Sequence, residues 1–387
     1  MTRATTLLAV VALTGSAFAA DWYDPAWEHR RTVTIQEGFF VIGDDQADFP
    51  VLIELKDEPA SLFEKARADG ADILFTAEDG VTKLPHEIEC FSKGDAPEKK
   101  GGSAPTTRPA ARDHKPGKIL RCWVRLPKLM AIEDTRIYLY YGNPKARPRA
   151  EPAKVWSDDF AAVWHLSGGG RKEEKVSLPD SSPNANHAEA PSEDTAFPDG
   201  KVGAALDGRA SAPYSESLAL TSKTPFTLSF WARWSWHPDQ TINLIGGYAW
   251  RVYWHDTSRW QFLMVDDPRS RGNILVAYQA DREPHGRWRH IAAVYEPEPR
   301  RVRLYIDGVM RTERSVDEMK ALTSKRALPF GVKPLSRTRH CLMDEVRVSR
   351  TVRSADWIAA CYKNQMYPDK RIRVGPERAR PKARTEE

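Results

Sequence analysis

The segment 286–308 constrains the fold of this chain more than any other part of the sequence. Residues 290–295 are an apolar and aromatic run of strand length, and residues 302–306 are a second run rich in β-branched side chains. The stretch 296–300 between them contains two prolines, which end a strand because proline has no amide hydrogen for the ladder. Asp307-Gly308 then closes the second run with a turn signal. The segment therefore predicts an antiparallel β-hairpin.

This hairpin resembles the central hairpin of the concanavalin A-like, laminin-G-like jelly-roll domains. Other segments that match this family follow one another in the family's order, at 162–166, 180–187, 203–208, 226–231, 343–348 and 354–358. The resemblance implies a jelly roll over residues 153–367. Domains of this kind mostly bind glycans or proteins, and fewer of them carry hydrolase sites.

Residues 21–152 predict a second β-rich domain. Alternating or apolar runs predict strands at 31–35, 49–55, 73–76, 83–91, 119–126 and 136–141, with a short helix at 61–69. Strands at this spacing are typical of a sandwich. The predicted fold class is therefore all-β, with two β-sandwich domains of which the C-terminal one is a concanavalin A-like jelly roll. Between the fourth and fifth strands, residues 94–118 are almost free of apolar side chains and predict a disordered insert.

The first region also resembles the bacterial domain-of-unknown-function 2341 family of exported proteins. The matching segments are Trp27 with Arg30-Arg31, then 48–53, 70–75, 84–89, 123–127 and 137–143. Relatives of this family often occur next to laminin-G-like domains and near proton-driven envelope machinery of the ExbB/TolQ type. The insert and the cysteine pair are departures from the family pattern.

The N-terminal residues predict export from the cytoplasm. Arg3 precedes the apolar run 7–13, and Ala17-Phe18-Ala19 places small residues where signal peptidase reads them, so residues 1–19 are predicted to be a cleaved signal peptide. No apolar segment approaches the roughly 20 residues that a spanning helix needs. The mature protein is therefore expected to be secreted or periplasmic, without a transmembrane segment.

The charge of the chain argues against a nucleic-acid partner. The formal net charge is +5, of which Arg3 contributes +1, and residues 368–387 contribute 7 − 4 = +3, so the rest is near +1. A charge this small gives no broad field for nucleic acid or acidic membranes. The Pro-rich, apolar-poor residues 368–387 predict a disordered basic tail.

The four cysteines predict structural disulfides. An even number in an exported protein favours pairing, and the spacing fits no CxxC metal or redox pattern. Four cysteines allow three pairings. We expect Cys90–Cys122 and Cys341–Cys361, because each pair lies within one predicted domain.

A cluster of aromatic residues predicts a binding surface in the second domain. Sugar rings stack on exposed aromatic side chains while polar neighbours take the hydroxyls. Eight rings lie between 231 and 260, too many for one small core, so some are expected to be exposed. The predicted ligand-binding residues are Arg251, Tyr253, His255 and Trp260.

The sequence also offers ligands for a structural calcium ion. Asp180, Asn184, Asn186 and Asp344 carry the hard oxygens that Ca²⁺ binds, and the resemblance to the jelly-roll family allows such an ion at the rim. Residues 180–184 also fit an ordinary Asx/Pro turn, and Asp344 could pair with Arg347. Zinc is disfavoured because no HExxH pattern occurs.

No catalytic residues are predicted. Related sandwich glucanases carry E-x-D-x-E on one strand, and this chain has no such pattern, G-x-S-x-G or P-loop. Glu87 and Glu89 alternate on one strand and are interpreted as a solvated face. His165 and His290 are interpreted as satisfied core histidines, since no nucleophile accompanies them.

The predicted function is non-catalytic recognition of a polysaccharide, or of an envelope or extracellular protein, through the jelly roll. The first alternative is a structural accessory of an ExbB/TolQ-type proton-driven envelope complex. The second is a glycoside hydrolase with a scattered carboxylate pair.

Overall fold

The computed structural model describes residues 21–38, 43–94, 117–168, 170–172, 174–221, 223–235, 241–246, 250–255, 258–265, 273–280, 286–316, 326–334, 336, 340–370 and 372–381. The predicted signal peptide and most of the predicted insert lie outside these residues. Within them β-strands predominate, and the all-β prediction is confirmed. No helix in this part of the chain is long and apolar enough to cross a bilayer.

In the first region the strands follow the predicted order along the chain, with the strand predicted at 83–91 divided in two at Pro85. In the first region they are β1 (His29–Ile35), β2 (Gln46–Lys56), α1 (Ala60–Lys65), β3 (Leu74–Ala77), β4 (Lys83–Leu84), β5 (His86–Lys93), β6 (Lys118–Leu129) and β7 (Thr135–Tyr141). From α2 onward they are α2 (Pro152–Val155), β8 (Phe160–Trp164), β9 (Arg171–Lys172), β10 (Lys175–Leu178), β11 (Ala188–Pro191), β12 (Leu206–Asp207), β13 (Arg209–Ala212), a 3₁₀-helix (Glu216–Leu218), β14 (Phe226–Trp234), β15 (Ile242–Gly246) and β16 (Trp250–His255). The remainder are β17 (Arg259–Val265), β18 (Asn273–Gln279), β19 (Arg289–Glu296), β20 (Arg301–Ile306), β21 (Val309–Ser315), β22 (Leu328–Gly331), β23 (Cys341–Ser349), α3 (Ala355–Met366), β24 (Ile372–Val374) and β25 (Arg378–Ala379).

The second region folds as two packed antiparallel sheets. The nine-stranded sheet has the order β18-β17-β16-β15-β22-β13-β11-β10-β9, and the seven-stranded sheet has the order β12-β23-β14-β19-β20-β21 with β8 on β23. The predicted hairpin is β19–β20, in which Ile291 pairs with Ile306 and Tyr295 with Val302. One large apolar core lies between the two sheets.

The first region contains a three-stranded sheet in which β2 is buried on both faces. This middle sheet has the order β2-β6-β5, and β2 carries a near-continuous apolar run, which is typical of a strand covered on both sides. Its side chains pack in one cluster with Ala292 and Val294 of β19 and with α3. Asn364 of α3 accepts from the Leu52 amide at 2.7 Å and donates to the Leu52 carbonyl at 3.0 Å. The two regions therefore share a core.

The first sheet includes part of the predicted basic tail. Its order is β24-β1-β7-β3-β4, with β25 also paired to β1. Val33 pairs with Val374 and Arg30 with Arg378, so β1 gives these residues ladder partners. The prediction of disorder is therefore wrong for β24 and β25, because pairing with a distant strand compensates for the low apolar content. Residues 382–387 lie outside the described part of the chain.

Both predicted disulfides are wrong, because all four cysteines are free thiols in the structure. Cys90 lies opposite Arg121 across a bulge in the β5–β6 ladder, whereas Cys122 pairs with Ile88. Cys341 belongs to the core between the two sheets of the second region, and Cys361 to the core shared with the middle sheet. Burial raises the pKa of Cys361 to about 12, which keeps the thiol protonated.

We expect the folded protein to keep its thiols unreacted with N-ethylmaleimide at three positions. Cys122, Cys341 and Cys361 are buried and Cys90 is only partly buried, so labelling of the native chain should stop at one adduct. Intact-mass spectrometry before and after unfolding in urea measures the number of adducts, with four expected after unfolding. Loss of labelling in urea that reductant restores would instead indicate disulfides.

Candidate functional site

Three of the four predicted ligand-binding residues lie together on the outer face of the nine-stranded sheet. Along β16 the side chains alternate, so that Trp250, Val252 and Trp254 are buried in the core while Arg251, Tyr253 and His255 point the other way. Tyr253 and His255 are partly exposed, and Arg251 is exposed. Their rings and charges are therefore available at the surface.

The fourth prediction, Trp260, is wrong as a surface residue. Trp260 pairs with Trp254 across the β16–β17 ladder, which places both indoles on the core face, and it is 0% exposed. Its ring stacks on Trp234 with centroids 5.5 Å apart and meets Trp254 edge-on at 5.4 Å. Trp231 is also buried, so these indoles stabilise the fold and offer no surface for a sugar.

The cross-strand register arranges the outward residues of β15–β18 in rows. One row contains Asn243, Tyr253, Gln261 and Ala277, which are aligned by the three ladders. A neighbouring row contains His255, Arg259 and Gln279, and Arg259 Nε donates to Gln279 Oε1 at 2.8 Å. We call the residues Asn243, Arg251, Tyr253, His255, Arg259, Gln261 and Gln279 the outer patch.

Gln261 gives the outer patch an unused hydrogen-bond acceptor. It alternates with the core residues Trp260 and Phe262, yet it is only 3% exposed. Its Oε1 is buried and accepts no hydrogen bond from the described part of the chain. A buried amide oxygen without a donor costs about 1–3 kcal/mol, so a ligand that donates to it would gain by pairing.

Beside Gln261, the guanidinium of Arg251 lies 5.7 Å from the Tyr253 ring centroid, and the rings of Tyr253 and His255 are 6.4 Å apart. These groups supply donors around an aromatic face. β15–β18 carry no Asp or Glu in their described lengths. The outer patch is therefore polar, aromatic and cationic.

The predicted calcium ligands are engaged with the chain's own donors. Asp180 accepts from the amides of Val163 and Asn186, each at 2.7 Å, and also binds Ser182. Asn184 donates to the Phe160 carbonyl and Asn186 to the Ala161 carbonyl, each at 2.7 Å.

Asp344, the remaining predicted ligand, is fully buried and binds a different segment. Its Oδ2 accepts from the amides of Lys201 and Val202, at 2.7 and 2.8 Å. Asp180 and Asn184 thus lie in a turn that is hydrogen-bonded to β8, whereas Asp344 is hydrogen-bonded to the segment 201–202. Calcium binding by these residues stays a prediction from the sequence.

A cluster of charged residues lies where the two regions meet, and the sequence analysis missed it. The Glu87 side chain is 12% exposed, so the interpretation of Glu87 and Glu89 as a solvated face is wrong. Trp156 Nε1 donates to Glu87 at 2.9 Å, and Ser181 Oγ donates to it at 2.7 Å. The second region covers this face of β5.

His165 stands at the centre of this boundary cluster. Its Nδ1 is 2.7 Å from Glu345 Oε1, and its Nε2 is 3.3 Å from Glu87 Oε2. Burial lowers the pKa of His165, but the charges of Glu345 and Glu87 outweigh burial and hold this pKa well above its ordinary value. The interpretation of His165 as a satisfied histidine agrees with these contacts.

Arg347 completes the ion pairs of the boundary cluster. Its Nη2 donates to Glu345 Oε2 at 2.7 Å, and its guanidinium lies 4.5 Å from the ring of Trp123 and 4.7 Å from that of Trp156. Burial raises the pKa of Glu345, but His165 and Arg347 together hold it below its ordinary value. Arg347 Nε and Nη1 are buried against the rings and have no hydrogen-bond partner in the described chain.

Glu89 has the weakest contacts of the cluster. It accepts from Trp123 Nε1 at 3.2 Å and from Ser167 Oγ at 3.3 Å. Gly203, with φ of 71°, leaves room for the Glu89 carboxylate, because a Cβ at this position would collide with Oε1. Burial raises the pKa of Glu89, and Arg121 opposes that rise without cancelling it.

Comparison with known proteins bears on the second region. The model of the concanavalin A-like lectin/glucanases superfamily matches residues 207–359. Residues 207–359 are a concanavalin A-like domain. The predicted resemblance of the second region is thereby confirmed for this part. Nothing in the comparisons supports the resemblance of residues 21–152 to the domain-of-unknown-function 2341 family, which stays a prediction.

Solved structures with a related arrangement include toxin binding domains. The binding domain of Paraclostridial Mosquitocidal Protein 1 has a TM-score of 0.44 and 16% identity, over 53% of this chain and 52% of that chain. The botulinum neurotoxin serotype G binding domain has a TM-score of 0.44 and 14% identity, over 53% and 51%. The serotype D ligand binding domain, in complex with N-acetylneuraminic acid, has a TM-score of 0.44 and 10% identity, over 54% and 51%. The chain thus spans about half the length of these structures. No curated protein matches the sequence.

Proposed function

We propose that this is a non-catalytic recognition protein of the periplasm or the cell exterior that binds a polysaccharide through the outer patch. The observation that carries the proposal is the buried, unpaired Oε1 of Gln261 in the same row as the partly exposed ring of Tyr253. A pyranose offers an apolar face and a rim of hydroxyl donors, which is what this pair of side chains complements.

The groups around Gln261 and Tyr253 fit the same ligand class. Arg251 and His255 flank the tyrosine on β16 and can donate to hydroxyl or ring oxygens. Asn243 lies opposite Tyr253 on β15 and is exposed. Side chains on paired strands hold fixed spacings, so the patch presents these donors without a large cost in ordering.

Recognition without catalysis is favoured by where the carboxylates lie. Glycoside hydrolysis needs two carboxyl groups flanking the bond that breaks. The described strands of the outer patch contain none, whereas the carboxylates of the boundary cluster are bound to Trp, Ser, His and Arg side chains. A glycosidase site therefore has no support at the patch.

The proposal is tested with arrayed polysaccharides, both neutral (dextran, xylan) and acidic (alginate, polygalacturonate), and the purified mature chain. At least one is expected to bind. Tyr253→Ala should weaken that binding about 10-fold or more through loss of stacking. Gln261→Leu should weaken it to a similar degree through loss of the acceptor, without lowering the thermal unfolding temperature, because an apolar side chain removes the unpaired group.

Arg209→Ala is the matched control. Arg209 lies on β13 of the same sheet, is exposed, and alternates with core residues, but it is remote from β16 in the strand order. Its replacement is expected to leave binding unchanged. Absence of binding to every polysaccharide, or full binding by both patch variants, contradicts the proposal.

A further inference from the structure

The boundary cluster brings together three metal-ligating side chains from separate parts of the chain. Glu89 lies on β5, His165 directly follows β8, and Glu345 lies on β23. One ligand atom from each lies within 4.8 Å of the others. Two atoms bound to one zinc ion at 2.0–2.2 Å can be at most roughly 4.4 Å apart, so the observed spacing is close to that of a shared ion.

Glu89 makes no direct ion pair, unlike the other two carboxylates. Glu345 contacts His165 and Arg347, and Glu87 contacts His165. Among the described residues, no Lys, Arg or His nitrogen lies within 4.0 Å of the Glu89 carboxylate, whose two hydrogen bonds are long. Arg121 attracts this carboxylate from farther away, but its direct ion pair is with Glu54. A carboxylate removed from water is costly unless it is paired, so this position favours an additional cation.

The surroundings hold the three groups in place. The His165 ring stacks on Trp123 with centroids 5.7 Å apart and planes at 21°. Its Nε2 faces Glu87, which leaves Nδ1 directed at Glu345. Metal-binding histidines commonly have their second nitrogen held by a carboxylate in this way. Gly203 lies against the Glu89 carboxylate and, because it has no side chain, leaves room for it at this position.

We propose that Glu89, His165 Nδ1 and Glu345 bind one divalent transition-metal ion, with zinc as the best-fitting ion, at the boundary of the two regions. One imidazole and two carboxylates form a mixed N/O ligand set that suits Zn²⁺ or Mn²⁺ better than the all-oxygen sets of Ca²⁺ and Mg²⁺. The ion takes the place of the proton on Nδ1, and Glu87 keeps its contact with Nε2. Glu89 belongs to the first region and the other two ligands to the second. The ion therefore ties the regions together.

The test is zinc binding by the purified mature chain after dialysis against EDTA. Isothermal titration is expected to give a stoichiometry near one. Zinc at about 100-fold above its dissociation constant should raise the unfolding temperature by about 5 °C or more. Mn²⁺ is expected to give a smaller rise and Ca²⁺ none.

Glu89→Gln separates a metal ligand from a merely structural acid. Glutamine keeps the volume and can accept from Trp123 and Ser167, so the metal-free unfolding temperature should stay within about 2 °C of wild type. The zinc-dependent rise should disappear. The control Asp207→Asn alters a carboxylate that meets a single histidine, His340, at 2.7 Å, and it should keep the full zinc response.

Two results would overturn the proposal. One is a wild-type chain that binds no stoichiometric zinc and shows no rise in unfolding temperature. The other is a Glu89→Gln chain that keeps the whole rise, since the ion would then be held elsewhere, for example by exposed histidines. Neither result bears on polysaccharide binding, because the outer patch shares no residue with this cluster.

Discussion

Replacing Trp260 with alanine is expected to lower the free energy of unfolding by about 3–5 kcal/mol. The indole is 0% exposed, packs against Trp234 and Trp254, and would leave a cavity that strands on both sides hold open. Urea denaturation of the purified protein, followed by far-ultraviolet circular dichroism, measures the change. Fluorescence is less suitable because the chain has 13 tryptophans.

Tyr253→Ala is the control for the Trp260 variant. Tyr253 lies on the neighbouring strand but on the opposite face, where it is partly exposed, so its removal should cost about 1 kcal/mol or less. An unfolding free energy for Trp260→Ala within 1 kcal/mol of wild type would mean that the indole does not occupy the core. It would then support the prediction that Trp260 is exposed at the surface.

Replacing Arg347 with alanine is expected to cost about 3–5 kcal/mol of stability. Arg347 is 2% exposed, and its removal leaves the buried Glu345 without this ion-pair partner. It also leaves a cavity beside the rings of Trp123 and Trp156. A buried pair that loses one partner is penalised far more than an exposed pair. The same urea titration measures this effect.

The matched control for Arg347 is Arg136→Ala. Arg136 is 49% exposed and pairs with Glu78 at 3.6 Å and Asp134 at 3.7 Å, so its loss should cost about 1 kcal/mol or less. A double-mutant cycle with Glu345→Gln isolates the Arg347–Glu345 coupling, expected to be about 1–3 kcal/mol. Equal effects of Arg347→Ala and Arg136→Ala would contradict the buried ion pair.

Strand positions were predictable from local pattern. The runs 290–295 and 302–306 became β19 and β20, and the apolar run 49–55 became β2, because period, length and proline breaks are properties of short segments. The concanavalin A-like character of the second region followed from segments in the right order, which the family match at 207–359 supports.

Trp260 was wrongly predicted to be exposed because the alternation of side-chain faces was not applied to residues 259–265. Had 259–265 been assigned faces, Trp260, Phe262 and Met264 would have fallen together on an apolar side, with Arg259 and Gln261 on the other. The same alternation along β16 puts Arg251 and Tyr253 opposite Trp250 and Trp254. Local pattern was sufficient here.

The boundary cluster could not be predicted from the local sequence pattern. Glu87 and Glu89 alternate as residues of a solvated strand do, but segments distant in the sequence cover them, with contacts from Trp156, Ser181 and Ser167. The disulfide predictions were wrong for a related reason. Two cysteines in one domain can form a disulfide only if their side chains also face each other at close range. Contacts between distant segments decide both cases.

The pairing of β24 and β25 with β1 joins strands that are far apart in the sequence. The edge of β1 that these strands cover stays open during synthesis until residues 372–379 have left the ribosome. A nascent or truncated chain would thus present free backbone amides at this edge, a template for pairing with another molecule. Shielding of β1 until residues 372–379 have been made would prevent such pairing.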